Sequence, residues 1–117
     1  MKLPNNKFCV LPWISLEASP IGTVRPCCLA KDEITDDLGN KFDLNNASLD
    51  DIQNSHQMKH LRKEFLNNKQ PSMCQRCWSE EDSGRTSKRM HTLDRLKDIL
   101  KHETKWTEEP KQLYFLD

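Results

Sequence analysis

The sequence predicts a small α+β domain in which a β-hairpin near the N-terminus is followed by helices. Ile14, Leu16 and Ala18 alternate with polar residues, as in a half-buried strand. Further along, apolar residues recur at intervals of three and four, as on one face of a helix. With 117 residues and a mean hydropathy of −0.85, the chain has a thin core, so we expect a covalent or coordinate cross-link to support it.

Charge and cysteine content exclude several classes of protein. Eighteen basic and eighteen acidic residues give a net charge of zero, which predicts neither a nucleic-acid partner nor a polybasic membrane address. The N-terminus lacks the apolar core of a signal peptide, and no run has the length of a membrane span, so we expect a cytoplasmic protein. Five cysteines in a reducing compartment favour metal binding over a disulfide framework, which an odd number would leave incomplete.

The hairpin is expected in residues 13–25. A strand beginning at Trp13 is followed by a type I turn at residues 19–22, with proline at its second position and glycine at its last. Residues 23–25 return as the second strand, which a proline ends. Because antiparallel strands bring their outer ends together, Cys27 is expected to lie near Cys9.

Two short helices are expected after an irregular connection at residues 31–47. Ser48, with an acidic residue three positions later at Asp51, is typical of a helix N-cap. Leu49 lies opposite the next apolar stripe, so we expect the helix to break near residues 54–55. That second stripe consists of Met58, Leu61 and Phe65.

The last third of the chain predicts one long amphipathic helix and a strand. Breaks are expected at residues 67–71 and at residues 83–84. A helix over residues 86–105 follows, and residues 111–117 form a strand-like run that suggests a longer protein. The apolar stripe of this helix consists of Met90, Leu93, Leu96, Ile99 and Leu100.

The strongest chemical motif is the CxxC of Cys74 and Cys77. Two thiolates separated by two residues can bind one metal centre from a single turn, and two upstream cysteines can complete a sulfur set. A redox CxxC normally follows a strand, whereas this one follows a polar loop, so we favour metal binding. The simplest ligand set adds Cys9 and Cys27, since neighbouring Cys28 cannot easily share an ion with Cys27. Spacing alone does not distinguish structural zinc from an iron–sulfur cluster.

Other candidate ligands and surfaces carry weaker signals. His56 and His60 have zinc-helix spacing but lack an HExxH pattern, and all four histidines are expected at the surface. Residues 85–105 contain seven basic and three acidic residues, which we interpret as a solvated helix face. Trp13 and Trp78, close in sequence to the cysteines, are expected to shield the metal centre from water.

Short motifs between about residues 8 and 89 resemble one known family. They are Phe8-Cys9, Pro12-Trp13, GTVRPCC at 22–28, LGN at 38–40, SLDDIQNS at 48–55, Leu61-Arg62, CQRC at 74–77 and EEDSG at 80–84. Together they look like the SPASM or twitch domain that accompanies radical SAM enzymes. In that family, a hairpin followed by helices holds an auxiliary 4Fe-4S cluster.

The resemblance implies a ligand set and its place in the fold. The family's first cysteine precedes the hairpin, the second follows a Gly-x-Val-x-Pro strand, and others lie in a downstream CxxC. This implies that Cys9, Cys27, Cys74 and Cys77 hold one 4Fe-4S cluster, with Cys28 as a packed neighbour. No cysteine follows Cys77, so the one-cluster twitch variety is the closer match.

The same resemblance implies an accessory role and a division of the chain. The CxxxCxxC that binds the catalytic cluster of radical SAM enzymes is absent, so this chain is not expected to be catalytic by itself. S-adenosylmethionine would act only through a missing radical SAM core, in cis or in trans, and a peptide or other cofactor-like molecule is a candidate substrate. Residues 1–84 would form the cluster-binding region, 85–110 a helix and linker, and 111–117 the start of the missing core.

Two alternatives to this interpretation stay open at the level of sequence. One is a structural zinc-binding interaction domain without redox activity. The other is an interaction protein whose cysteines bind no metal. Zinc ribbons usually have two CxxC pairs, and this chain has one.

Overall fold

A computed structural model describes residues 3–102 and 105–110 of the chain. These residues form a small α+β fold with a two-stranded antiparallel hairpin and six short α-helices, which confirms the predicted class. In chain order the elements are α1 (Leu11–Ile14), β1 (Glu17–Ala18), β2 (Val24–Arg25), α2 (Leu49–Gln53), α3 (His56–Leu66), a 3-10 helix (Ser72–Cys74), α4 (Gln75–Asp82), α5 (Lys88–Arg95) and α6 (Lys97–Leu100).

The hairpin is confirmed but is shorter than predicted. Glu17 pairs with Arg25, and Ala18 pairs with Val24. The predicted turn is present: the Gly22 N–H donates to the Ser19 carbonyl at 3.0 Å, and Gly22 has a φ of 98°, which glycine adopts without strain.

The strand predicted to begin at Trp13 is wrong over its first residues, where α1 forms instead. Pro12 lies in the first turn of α1, a position that suits its fixed φ and its missing N–H. The helical turn also buries Leu11, Pro12 and Trp13 together. Burial of this apolar group outweighs the alternating pattern that predicted a strand.

The two middle helices begin and end as predicted. Ser48 and Asp51 form a reciprocal capping box at the start of α2. The chain then breaks at Asn54, and Ser55 caps α3 by accepting from the Met58 N–H. The predicted stripe of α3 is buried, whereas Leu49 of α2 is exposed. Residues 31–47 are irregular, with one isolated bridge between Thr35 and Lys41.

The single long helix predicted for residues 86–105 is wrong. Helix α5 ends at Arg95, α6 begins at Lys97, and Leu96 between them has φ −99° and ψ 7°. Packing does not use the predicted stripe throughout, because Met90 and Ile99 are 42% and 46% exposed while Arg89 and Thr92 are buried. Residues 103–104 of this prediction, and the strand predicted at 111–117, lie outside the described residues.

The core lies where the N-terminal segment, the hairpin and helices α2 to α4 meet. Its most deeply buried apolar residues are Phe8, Val10, Trp13, Val24, Ile34, Ile52, Met58 and Phe65. None of the helices in the described ranges is both long and apolar enough to cross a membrane.

Candidate metal centre

Three separate segments bring the four predicted ligands to one cavity. Cys9 precedes α1, and Cys27 follows β2. Cys74 ends the 3-10 helix and caps α4, whose first turn contains Cys77. All four thiols line the same cavity, so the expectation that Cys27 lies near Cys9 is confirmed.

Backbone hydrogen bonds hold the turn after the hairpin against the CxxC segment. The Lys31 N–H donates to the Met73 carbonyl at 2.8 Å, immediately before Cys74. The turn itself is closed by a bond of 3.1 Å from the Ala30 N–H to the Cys27 carbonyl. Arg25 adds a bond of 3.1 Å to the Ala30 carbonyl. Cys27 therefore reaches the CxxC because the loop after it, and not only the hairpin, is fixed.

Cys28 points away from this cavity. It is exposed, and its sulfur accepts a hydrogen bond of 3.1 Å from the Lys88 ammonium. With Cys27 and Lys88 it borders a wider surface pocket of about 180 Å³. The expectation that Cys28 is a packed neighbour is wrong, because adjacent residues in a turn direct their side chains to different sides.

Burial keeps Cys9, Cys27 and Cys74 protonated when no metal is bound, because it raises their pKa values. Loss of water raises the pKa of Cys9 from 9.0 to about 12, with smaller contributions from repulsion by Cys27 and Cys77. Burial also raises the pKa values of Cys27 and Cys74, and repulsion from neighbouring cysteines raises them further. A metal that binds here must displace these protons, as thiolate coordination normally does.

Backbone donors point at two of the sulfurs. A hydrogen bond from the Leu11 backbone lowers the pKa of Cys9 against the effect of burial, and bonds from Leu29 and Ala30 do the same for Cys27. Such N–H to sulfur bonds stabilise negative charge on sulfur. The site therefore contains donors for thiolate ligands in addition to the thiols.

Apolar side chains form the remaining walls. Leu11, Leu29 and Phe65 line the cavity. The two tryptophans expected to shield it do not line it: Trp13 packs against Phe8 at 4.9 Å between ring centroids. Trp78 lies behind Phe65, 6.2 Å from that ring. Phe65, which the sequence indicated only as a core residue, is the aromatic side chain that lines the cavity among residues 3–102 and 105–110.

Two basic residues on the first turn of α5, Lys88 and Arg89, also border the cavity. The Arg89 guanidinium bonds both Glu81 carboxylate oxygens, at 2.9 and 2.7 Å, and the Phe8 carbonyl at 2.9 Å. Burial alone would raise the pKa of Glu81, but hydrogen bonds from Arg89 and Ser87 outweigh it and hold the pKa below 4.5. The sequence placed these basic residues on a solvated face, and only helical spacing from Leu93 could have indicated that Arg89 is buried.

The histidines lie at the surface, as predicted. His56 contacts Asp37 at 2.9 Å and His60 lies 3.6 Å from Glu64, with both imidazoles exposed. Within residues 3–102 and 105–110, no three His, Cys, Asp or Glu side chains are grouped closely enough for a single metal ion. The fit of the cavity to a metal group therefore rests on its donor chemistry, four thiols with apolar walls, which is the set that iron–sulfur clusters use.

Comparison with known families identifies the fold and its class of cofactor. Residues 9–78 match SPASM, an iron–sulfur cluster-binding domain. The match covers more than half of the chain and includes all four cavity cysteines, so the chain belongs to this family. No curated protein and no solved structure matched the chain.

Proposed function

We propose that Cys9, Cys27, Cys74 and Cys77 hold one auxiliary 4Fe-4S cluster. The observation that carries the proposal is that these four cysteines, distant in sequence, line one cavity in a chain of the SPASM family. Four cysteine thiolates are the usual ligands of this cluster type. A bound cluster would supply one-electron redox chemistry or a site for contact with substrate.

The chain's own groups support a negatively charged cluster. Backbone donors point at Cys9 and Cys27, Lys88 and Arg89 bring positive charge, and apolar side chains restrict access of water.

We further propose that the domain is the accessory module of a radical SAM enzyme. The sequence lacks the three-cysteine signature that would leave an iron open to S-adenosylmethionine, so that cofactor would bind a core supplied in cis or in trans. A peptide is the candidate substrate of the joined assembly. The isolated chain should yield no 5′-deoxyadenosine with S-adenosylmethionine and reductant, and robust production would contradict an accessory role.

Anaerobic reconstitution with iron and sulfide tests the cluster directly. We expect a brown protein with broad visible absorbance and about four irons and four sulfides per chain, as the 4Fe-4S assignment requires. A colourless protein that holds one zinc would support the structural alternative instead. Absence of any bound metal would contradict both.

Serine substitution of each cysteine tests the ligand set. Cys9→Ser, Cys27→Ser, Cys74→Ser and Cys77→Ser should each abolish or strongly reduce cluster occupancy. Cys28→Ser is the matched control, since this neighbouring cysteine is exposed outside the cavity, and it should leave occupancy nearly intact. Loss of the cluster in Cys28→Ser together with its retention in Cys27→Ser would exchange the two assignments.

A further inference from the structure

The positive charges around the cysteine cavity are neutralised unequally. Arg89 is paired with Glu81, and Arg25, beside the Cys27 turn, is paired with Glu17. Lys88 differs from both: among the described residues it forms no ion pair with a carboxylate, and its ammonium donates a hydrogen bond to the Cys28 sulfur. Lys88 therefore brings the one basic charge at the cavity wall that no carboxylate in the described ranges offsets.

The fold holds Lys88 in this position from both ends of its side chain. Its backbone is the first residue of α5, next to Ser87, whose hydroxyl caps the helix by accepting from the Met90 N–H. At the other end, the ammonium lies 3.1 Å from the Cys28 sulfur. The side chain thus lines both the cysteine cavity and the surface pocket outside it.

A fixed positive charge at this wall favours the more negative of two redox states. When an electron enters an oxidised cluster, no bond forms or breaks, and the cluster gains one negative charge. A nearby cation stabilises the reduced state more than the oxidised state, and low-polarity walls strengthen that interaction. The apolar side chains of Leu11, Leu29 and Phe65 form such walls here.

We propose that Lys88 raises the reduction potential of the cluster held by the four cysteines. This inference rests on the proposed function, since it concerns the same site. Lys88 binds no iron in this scheme: it acts through its charge on the electron affinity of the cluster. Arg89, neutralised by Glu81, contributes less to the potential.

The test is a potentiometric titration of the reconstituted protein with dithionite, followed by electron paramagnetic resonance. At the wild-type midpoint, Lys88→Gln should lower the ratio of reduced to oxidised cluster by about threefold to tenfold, a tenfold change being 59 mV for one electron. Lys88→Met should behave in the same way, and Lys88→Arg should stay near the wild type. Lys97→Gln is the matched control, because Lys97 is an exposed lysine of the next helix whose ammonium lies 3.5 Å from Asp94.

Two results would overturn the proposal, and they are distinguishable. Equal midpoints in Lys88→Gln, Lys88→Met and Lys97→Gln, with a full complement of iron and sulfide, would show that Lys88 does not influence the potential. A wild-type protein that binds no iron and sulfide would remove the proposed function itself.

Discussion

Two buried arginines hold opposite ends of the segment that contains Cys9, but their surroundings differ. Arg89 donates to the Phe8 carbonyl and Arg62 to the Pro12 carbonyl, both at 2.9 Å. Arg89 is paired with a carboxylate, that of Glu81. Arg62 instead bonds neutral acceptors, the Gln53 side chain and the Glu108 carbonyl.

This difference separates a structural role from one linked to the cysteine site. Burial lowers the pKa of Arg62 to about 10, which leaves it charged at neutral pH but costly to desolvate. Its three bonds join α1, α2 and the 105–110 segment, away from the thiols. Arg89 borders the cavity, and its pairing with Glu81 adds a group that can titrate. We therefore expect changes at Arg62 to affect stability alone and changes at Arg89 to affect the cluster as well.

Removal of the cluster should produce the largest loss of stability. The local increase in backbone mobility should be greatest in the cysteine-bearing segments next to Arg89. Metal sites in small domains supply on the order of 10 kcal/mol of apparent folding free energy. Chelation should lower the thermal midpoint sharply and increase hydrogen exchange around Cys9, Cys27 and Cys74 more than in the middle of α3. A melt identical in cluster-bound and cluster-free protein would contradict the coupling between folding and binding.

Arg62→Met should destabilise the fold by about 3 kcal/mol, because it leaves one buried acceptor and two partly buried acceptors without donors. Iron content per folded chain should stay at the wild-type value, since Arg62 is not among the described residues that line the cysteine cavity. Urea denaturation measures the first quantity and iron analysis the second. Arg95→Met, at an exposed position, is the control for loss of charge. An equal loss of stability in both variants would contradict a structural role for Arg62.

Arg89→Met should cost about 2 kcal/mol, less than Arg62→Met, because Glu81 can turn towards water once its partner is lost. It should also free the Phe8 carbonyl next to Cys9. Iron transfer to a chelator should therefore become several-fold faster than in the wild type. If Arg62→Met accelerated iron loss equally, the distinction between the two arginines would fail.

Glu81→Gln should have the smallest effect, about 1 kcal/mol at pH 7, because a glutamine can still accept from Arg89. The effect of Glu81→Gln on the free energy of unfolding should depend on pH. The folded pKa of Glu81 lies below 4.5, so the unfolded chain binds the proton more readily and this contribution is lost as the pH falls below 4.5. Denaturation at a series of pH values should show a difference between wild type and variant that shrinks with acid. A difference that stays constant over the whole pH series would contradict a role for the Glu81 carboxylate in stability.

Local signals in the sequence predicted much of the fold. The turn ending at Gly22, the capping box of Ser48 and Asp51 and the new start at Ser55 each depend on residues within four positions of one another. The cysteine set was also predictable, since thiols at these spacings favour a metal centre. The predictions that failed, a strand from Trp13 and one helix over residues 86–105, relied on apolar periodicity alone. Packing overrode that pattern in both places.

The sequence by itself thus determined the family, the hairpin and the four candidate ligands, because each is encoded by short motifs. Only the tertiary structure decided which groups surround those ligands. The bonds of Arg89 to Phe8 and of Arg62 to Pro12 span 81 and 50 residues. A guanidinium that satisfies distant carbonyls has no local signature, since its position depends on which surfaces the core buries together.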